Sequence, residues 1–338
     1  MKAKEYTFDA SYQPQVRTKT DTSRIMLDVI IALVPAMAVA VYQFGFRVLA
    51  LIVVSVLSCV FFEWGYRKLM KKPDSIGDLS ACVTGVLIAM VIPSGAPLWM
   101  PVVAAAFAMV VVKQLYGGIG KNFLNPALAS RAFLMASWPV IMTTWAVPKA
   151  LQGSVDATTM ATPLSYLKAG EALPDTLSTV NMLLGNVPGC IGEISAIALL
   201  IGGAYLLIRK VISWRIPAAF IGTVAVITFI FPMHGASNFD WMLTNLLSGG
   251  LLLGAFFMAT DYSSSPVTLN GQLLYGFGCG ALTVLIRYFG GFPEGVSYAI
   301  LIMNLCAWAI DKGTRGRQFG VTKEDLKAAK KAAKEAKA

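Results

Sequence analysis

The feature that most limits what this chain can become is a succession of long apolar blocks joined by short connections, many of them basic. The blocks fall near 25–42, 48–66, 79–92, 100–115, 127–145, 194–208, 216–231, 241–259, 273–286 and 296–310. Crossing a bilayer as a helix takes about 20 apolar residues, and several blocks are shorter than that. The third and the ninth are the shortest and carry Pro or Gly at or near their ends. Both are expected to be broken or re-entrant, which a membrane tolerates only where protein surrounds the freed backbone groups. Composition closes off the soluble alternative. Hydrophobic residues make up 56% of the chain and charged residues 14%, against about a quarter charged in a soluble domain. The expected fold class is an all-α integral membrane protein of about ten transmembrane segments.

The basic residues set an orientation. With an inner amino terminus and alternating crossings, Arg47, Lys149, Lys168 and Arg287 fall on the outer side or at outer helix ends. The rest of the 28 Lys and Arg fall inside or toward inner ends, as the positive-inside rule requires. Both termini are therefore expected on the inner, cytoplasmic side of the membrane. The polar first 24 residues carry no secretion signal. The Ala- and Lys-rich tail from Val321 reads as a solvated anchor of topology, with lipid or a partner protein as the alternative. The net charge of +10 follows largely from this tail and the inner loops and gives no argument for nucleic acid.

A weak internal repeat is legible. Residues 84–89 of the third block echo 248–254 of the eighth, and Lys113 to Gly118 after the fourth echo Arg287 to Gly291 after the ninth. The repeat unit is five segments, and an odd unit enters the membrane inverted. The expected division is 1–24 as a cytoplasmic segment, 25–145 as membrane repeat one, 146–192 as an outer loop, 193–311 as membrane repeat two and 312–338 as a basic cytoplasmic tail.

The outer loop is the longest connection, and loops of that length usually carry a function. It contains Asp156-Ala157-Thr158-Thr159-Met160-Ala161-Thr162-Pro163-Leu164. This stretch resembles the covalent flavin attachment motif of the Rnf electron-transport complex, found in its D component, and of the related B component of the sodium-pumping NADH:quinone reductase. In that motif an Asp precedes the attachment Thr by six residues and an Ala by one; the usual Gly two residues before the Thr is Met160 here. Further resemblance lies in Arg24-Ile25-Met26-Leu27-Asp28, in 117–127 with its Asn125-Pro126-Ala127, and in Phe257-Met258-Ala259-Thr260-Asp261. The length is closer to the Rnf component.

The resemblance implies that Thr162 bears FMN through a phosphoester made by a separate flavin transferase, with Asp156 and Ala161 in the recognised sequence. It implies a six-subunit membrane complex, inactive in single components, that passes electrons between ferredoxin and NAD and moves Na⁺ or H⁺. A second, non-covalent flavin, riboflavin, is implied for the membrane part, and no residue places it. On the residues alone, attachment needs a hydroxyl on an accessible, flexible segment, with Pro163 holding the chain extended.

Charges inside the bilayer are functional candidates by default. Asp28 lies one turn from Arg24 and Glu63 one turn from Arg67, so local ion pairs are the simpler expectation. Arg131 is placed to snorkel or to contact a flavin or its phosphate, and Lys113, Asp261 and Glu294 flank the repeat turns. No catalytic residue and no metal site is expected. Cys59, Cys82, Cys190, Cys279 and Cys306 are scattered, where an iron–sulfur cluster needs grouped thiolates, and His234 reads as interfacial. The competing functional class is a solute or ion channel on the same scaffold, since fold does not dictate function.

Overall fold

The computed structural model describes residues 21–152, 159–171, 173–233 and 237–316. Asp156, His234 and the basic tail lie outside them. The described residues are mostly helical. Helix α1 is Thr22–Phe44 and α2 is Phe46–Leu69, hinged at Gly45, whose φ of 78° is the left-handed conformation glycine adopts without strain. Helices α3 (Ser80–Met90) and α4 (Trp99–Gln114) follow, then α5 (Pro126–Ser137) and α6 (Pro139–Met142). The 145–195 region carries the short helices α7 (Pro163–Ala169) and α8 (Thr179–Leu184). The second part holds α9 (Ala196–Ile208), α10 (Arg215–Ile230), α11 (Asn238–Leu247), α12 (Leu251–Met258), α13 (Leu269–Phe289) and α14 (Val296–Thr314).

By length and composition, α1, α2 and α13 qualify as membrane spans, and α11 with α12 form a fourth candidate bent by 58°. Helices α3, α4, α9 and α10 are apolar but shorter. The break expected in the ninth block is absent, because α13 runs unbroken for 21 residues. Its glycines serve packing instead. A Cβ on Gly276 would stand 2.8 Å from the Ile216 carbonyl oxygen, and one on Gly280 2.9 Å from that of Phe220, so α10 lies directly on α13. The third block forms one short continuous helix, Ser80–Met90, that stops at its far edge, whereas the eighth breaks at Gly249 and Gly250, both with positive φ.

Each of these helix ends leaves carbonyls without helical partners, and each is satisfied differently. After α3, the Met90 and Ile92 oxygens accept the Gly192 and Ile191 N–H groups at 2.8 and 3.2 Å. A buried irregular segment, 187–195, thus reaches back to pair with 90–93. After α11, Arg287 donates to the Asn245 and Ser248 carbonyls at 2.6 and 3.1 Å. Irregular backbone therefore sits deep in the bundle with its polar groups met by protein.

Two local ion pairs expected from spacing are replaced by distant ones. Asp28 pairs with Arg209 at 3.2 Å and accepts from the Tyr205 hydroxyl. Glu63 pairs with Lys113 at 3.1 Å. A helix fixes which residues share a face but not what that face meets, so packing of α1 on α9 decided the first pair. The Arg209 side chain is 48% exposed, and water screens such a pair. Asp28→Asn is expected to lower stability by less than about 1 kcal/mol, read as a small shift in thermal unfolding of the purified protein.

Candidate functional site

Thr162 occupies the N-cap of α7, with φ −73° and ψ 157°. Its Oγ1 accepts the Ser165 N–H at 3.3 Å and lies 2.9 Å from Ser165 Oγ. Pro163 holds the first helical position, where a missing N–H costs nothing. Leu164, Leu167 and Trp241 pack together under the helix, and Gly170 ends it in the left-handed conformation. The strand-like segment before Thr162 is tied down as well: the Met160 N–H donates to the Trp145 carbonyl at 3.1 Å, and Thr159 bridges Ala146. Thr162 is 5% exposed. Within the described part of the loop, 159–170, the open and flexible segment expected from sequence is instead a capped and packed turn, because the cap and the Leu164–Trp241 contact give it a fixed seat.

Beside this turn lies a cavity of about 350 Å³. Met135, Trp145, Met160 and Phe292 form apolar walls; Thr143, Thr144, Thr159 and Ser165 supply hydroxyls, and Glu294 carries the charge. Ala161, exposed at the rim, and Ser165 flank Thr162 on either side. The volume is within the range of small-molecule sites, as is the mixture of apolar walls and a few polar groups. The donor set fits a flavin: flat apolar faces for a tricyclic ring, and hydroxyls for its edge.

Arg131 sits on α5, 7% exposed, and is ion-paired with Glu294. It reaches the cavity only through that partner. Glu294 lies in the connection between α13 and α14. Its carboxyl stands above the usual carboxylate range, first because it is buried and next because the Glu193 carboxylate is close. Of the sequence-predicted set, Ala161 lines the cavity, Thr162 is buried next to it without lining it, Arg131 stands behind it through Glu294, and Asp156 lies outside the described residues. Sequence reasoning missed Trp145, Phe292 and Glu193. The run Pro188-Gly189-Cys190-Ile191-Gly192 before Glu193 was the available signal, since a Cβ on Gly192 would meet Met90 Cβ at 2.6 Å.

Lys113, Asn125 and Asp261 line a different cavity toward the ends of α4 and α12, of about 110 Å³. Asn125 there acts as the N-cap of α5, accepting from the Ala127 and Leu128 N–H groups, and Asp261 accepts from Ser263 and Ser264. This space is small beside the roughly 300 Å³ at the lower end of ligand sites.

Residues 9–320 match the model of the NQR2, RnfD, RnfE family. The chain belongs to that family. Within the family, it is 50% identical over 322 residues to the D component of the Na⁺-translocating ferredoxin:NAD⁺ oxidoreductase complex of Acetobacterium woodii, covering 94% of this chain and 97% of that protein. It is 41% identical over 325 residues to the D component of the proton-translocating ferredoxin:NAD⁺ oxidoreductase complex of Clostridium ljungdahlii, with 94% and 97% covered. The D component of the ion-translocating oxidoreductase complex of Actinobacillus succinogenes is 34% identical over 348 residues, with 93% and 98% covered. With nine-tenths or more of each chain aligned, the likeness is not confined to the motif loop.

Proposed function

We propose that the chain is the D component of an ion-translocating ferredoxin:NAD⁺ oxidoreductase complex and carries FMN esterified to Thr162. The carrying observation is the pairing of near full-length alignment to such D components with a cavity of small-molecule size beside the motif threonine. FMN held there would supply electron transfer between one- and two-electron partners. The protein's contribution is position and environment. Trp145, Phe292, Met135 and Met160 give the site apolar walls, and the α7 cap fixes the threonine relative to them. Esterification takes Thr162 Oγ1 out of its contact with Ser165, so the flavin transferase acts on this turn before it seats or while it is open. Asp156 and Ala161 belong to the sequence that the transferase reads. The implied riboflavin is not assigned a place, since the 110 Å³ cavity is small for its ring.

In this reading the chain makes ten passes of the inner membrane as two inverted repeats, 25–145 and 193–311, with 146–192 on the outer side. Segments 1–24 and 312–338 are cytoplasmic. Contacts at the bundle ends support it. Gln43 bonds Asn186 and Arg47 bonds the Ala96 carbonyl at one end; Asp28 meets Arg209 and Thr268 meets Asp311 at the other. Helix α3 stops after entering from the second end, and α11 breaks after entering from the first, as an inverted pair would. One echo is weaker in space than in sequence: Gly117 and Gly118 have positive φ, whereas Gly290 is extended with φ −75°. The other members of the six-subunit complex, which moves Na⁺ or H⁺, are the partners. Deleting the gene is expected to abolish ferredoxin-dependent NAD⁺ reduction by isolated membranes, and the wild-type chain is expected to restore it. Undiminished activity in the deletion strain would reject the assignment.

A further inference from the structure

Glu193 lies in the buried 187–195 segment, 7% exposed. Its Oε1 accepts the Cys190 N–H at 2.8 Å, and its Oε2 meets no hydrogen-bond donor. An oxygen of Glu294, an oxygen of Glu193 and Cys190 Sγ all lie within 4.8 Å of one another. A buried carboxylate oxygen without a donor, this close to a second carboxylate, leaves a large cost unmet if both are ionised. Something positive, or a hydrogen, belongs between them.

The groups facing the pair decide what it is. Arg131, from α5, is ion-paired with Glu294. Arg287, from α13, is held by the Asn245 and Ser248 carbonyls, and its charge is felt by both glutamates. Cys190 comes from the same segment as Glu193, while α12 and α14 contribute Leu253, Val296 and Ser297 to the enclosing wall. A thiol and two carboxylates are a reasonable donor set for a metal ion. The enclosed space is about 10 Å³, however, roughly that of a single water, and a guanidinium already occupies Glu294. A proton needs no room.

We propose that Glu193 and Glu294 share one exchangeable proton, with Glu294 as the member that passes it to and from the cavity beside Thr162. On uptake an O–H bond forms at the pair as one breaks at a donor in the cavity water; release reverses this, and no electron moves. The unpartnered Glu193 Oε2 then has a hydrogen to give to, or take from, its neighbour. Glu294 lines both the 350 Å³ cavity and the buried space, whereas Glu193 lines the buried space alone. The inference stands on the carboxylate geometry and does not need a bound flavin.

The test uses dicyclohexylcarbodiimide, which reacts with protonated buried carboxyls, on the purified complex. Peptide mass spectrometry reads the modified residue across a pH series, with and without NaCl. Label is expected on Glu193 or Glu294, falling about tenfold per pH unit above the pair's titration and unchanged by Na⁺ at fixed pH. In Glu193→Gln the label on Glu294 should fall sharply at the same pH, because the repelling carboxylate is gone. If that variant fails to assemble, the wild-type series decides by itself. Absence of label on both residues at acidic pH, with other carboxyls labelled, overturns the proposal. So does protection by Na⁺ at constant pH, which would mark a metal-ion station.

Discussion

Glu63→Ala is expected to destabilise the protein by about 3–5 kcal/mol, the cost of leaving a buried charge without its partner. Glu63 is fully buried on α2. It holds Lys113 at 3.1 Å, Gln114 at 2.8 Å and Ser75 at 2.7 Å. The side chains of the pair are 4% and 1% exposed, Lys113 first. Removing the carboxylate leaves the ammonium with the Ser80 hydroxyl at 2.6 Å as its remaining contact among those described. The double variant Glu63→Leu with Lys113→Met should recover most of the loss, since the attraction within a buried pair does little more than offset its own desolvation. Thermal unfolding of the purified complex checks both. A single variant as stable as wild type would mean that Lys113 reaches water.

Gly202→Val is the second large effect. A Cβ at Gly202 on α9 would sit 2.1 Å from the Ala32 carbonyl oxygen of α1 and 3.0 Å from the Phe257 ring. The obstacle is backbone, which cannot rotate away, so the two helices must separate. Loss at or beyond the upper end of the usual range of about 1–3 kcal/mol for overpacking is expected. Gly222 in α10 is the matched control: nothing lies within 4 Å of its Cβ position. Gly222→Ala should stabilise by about 0.5–1 kcal/mol, the helix-interior cost of glycine. Opposite signs at two helical glycines are read from the same unfolding measurement.

Much of the helix plan is legible in hydropathy, and the exceptions have physical causes. The blocks at 25–42 and 48–66 become Thr22–Phe44 and Phe46–Leu69, because uninterrupted apolar residues leave little else to do. The polar Asn270 and Gln272 and the charged Arg287 bounded the apparent ninth block, although α13 runs past all three, and the glycines at 276 and 280 mark close approach of α10 and leave α13 continuous. The break at Gly249 and Gly250 was visible only as part of a repeat echo. Ion pairing was misread where spacing offered a local partner: the partners lie 181 residues away for Asp28 and 50 for Glu63. Which helix faces which is a property of the packed bundle, and one sequence does not encode it in any periodicity.

The site divides the same way. Thr162 and Ala161 were singled out through a linear motif, and of the two Ala161 lines the cavity. Trp145 and Phe292, far apart in the chain by their numbering, could be joined only by folding. Arg131 was singled out as a charge in an apolar run, and its partner Glu294 as a charge near a turn; their pairing emerges from α5 meeting the connection before α14.

The most direct test of covalent flavin at Thr162 is flavin fluorescence of the denatured chain on a gel, with wild type beside Thr162→Val, each co-expressed with a flavin transferase. A fluorescent wild-type band that is lost in the variant is the predicted result. A dark wild-type band, with the transferase shown active on a control substrate, would contradict the assignment, and a band retained in Thr162→Val would move the attachment to another residue.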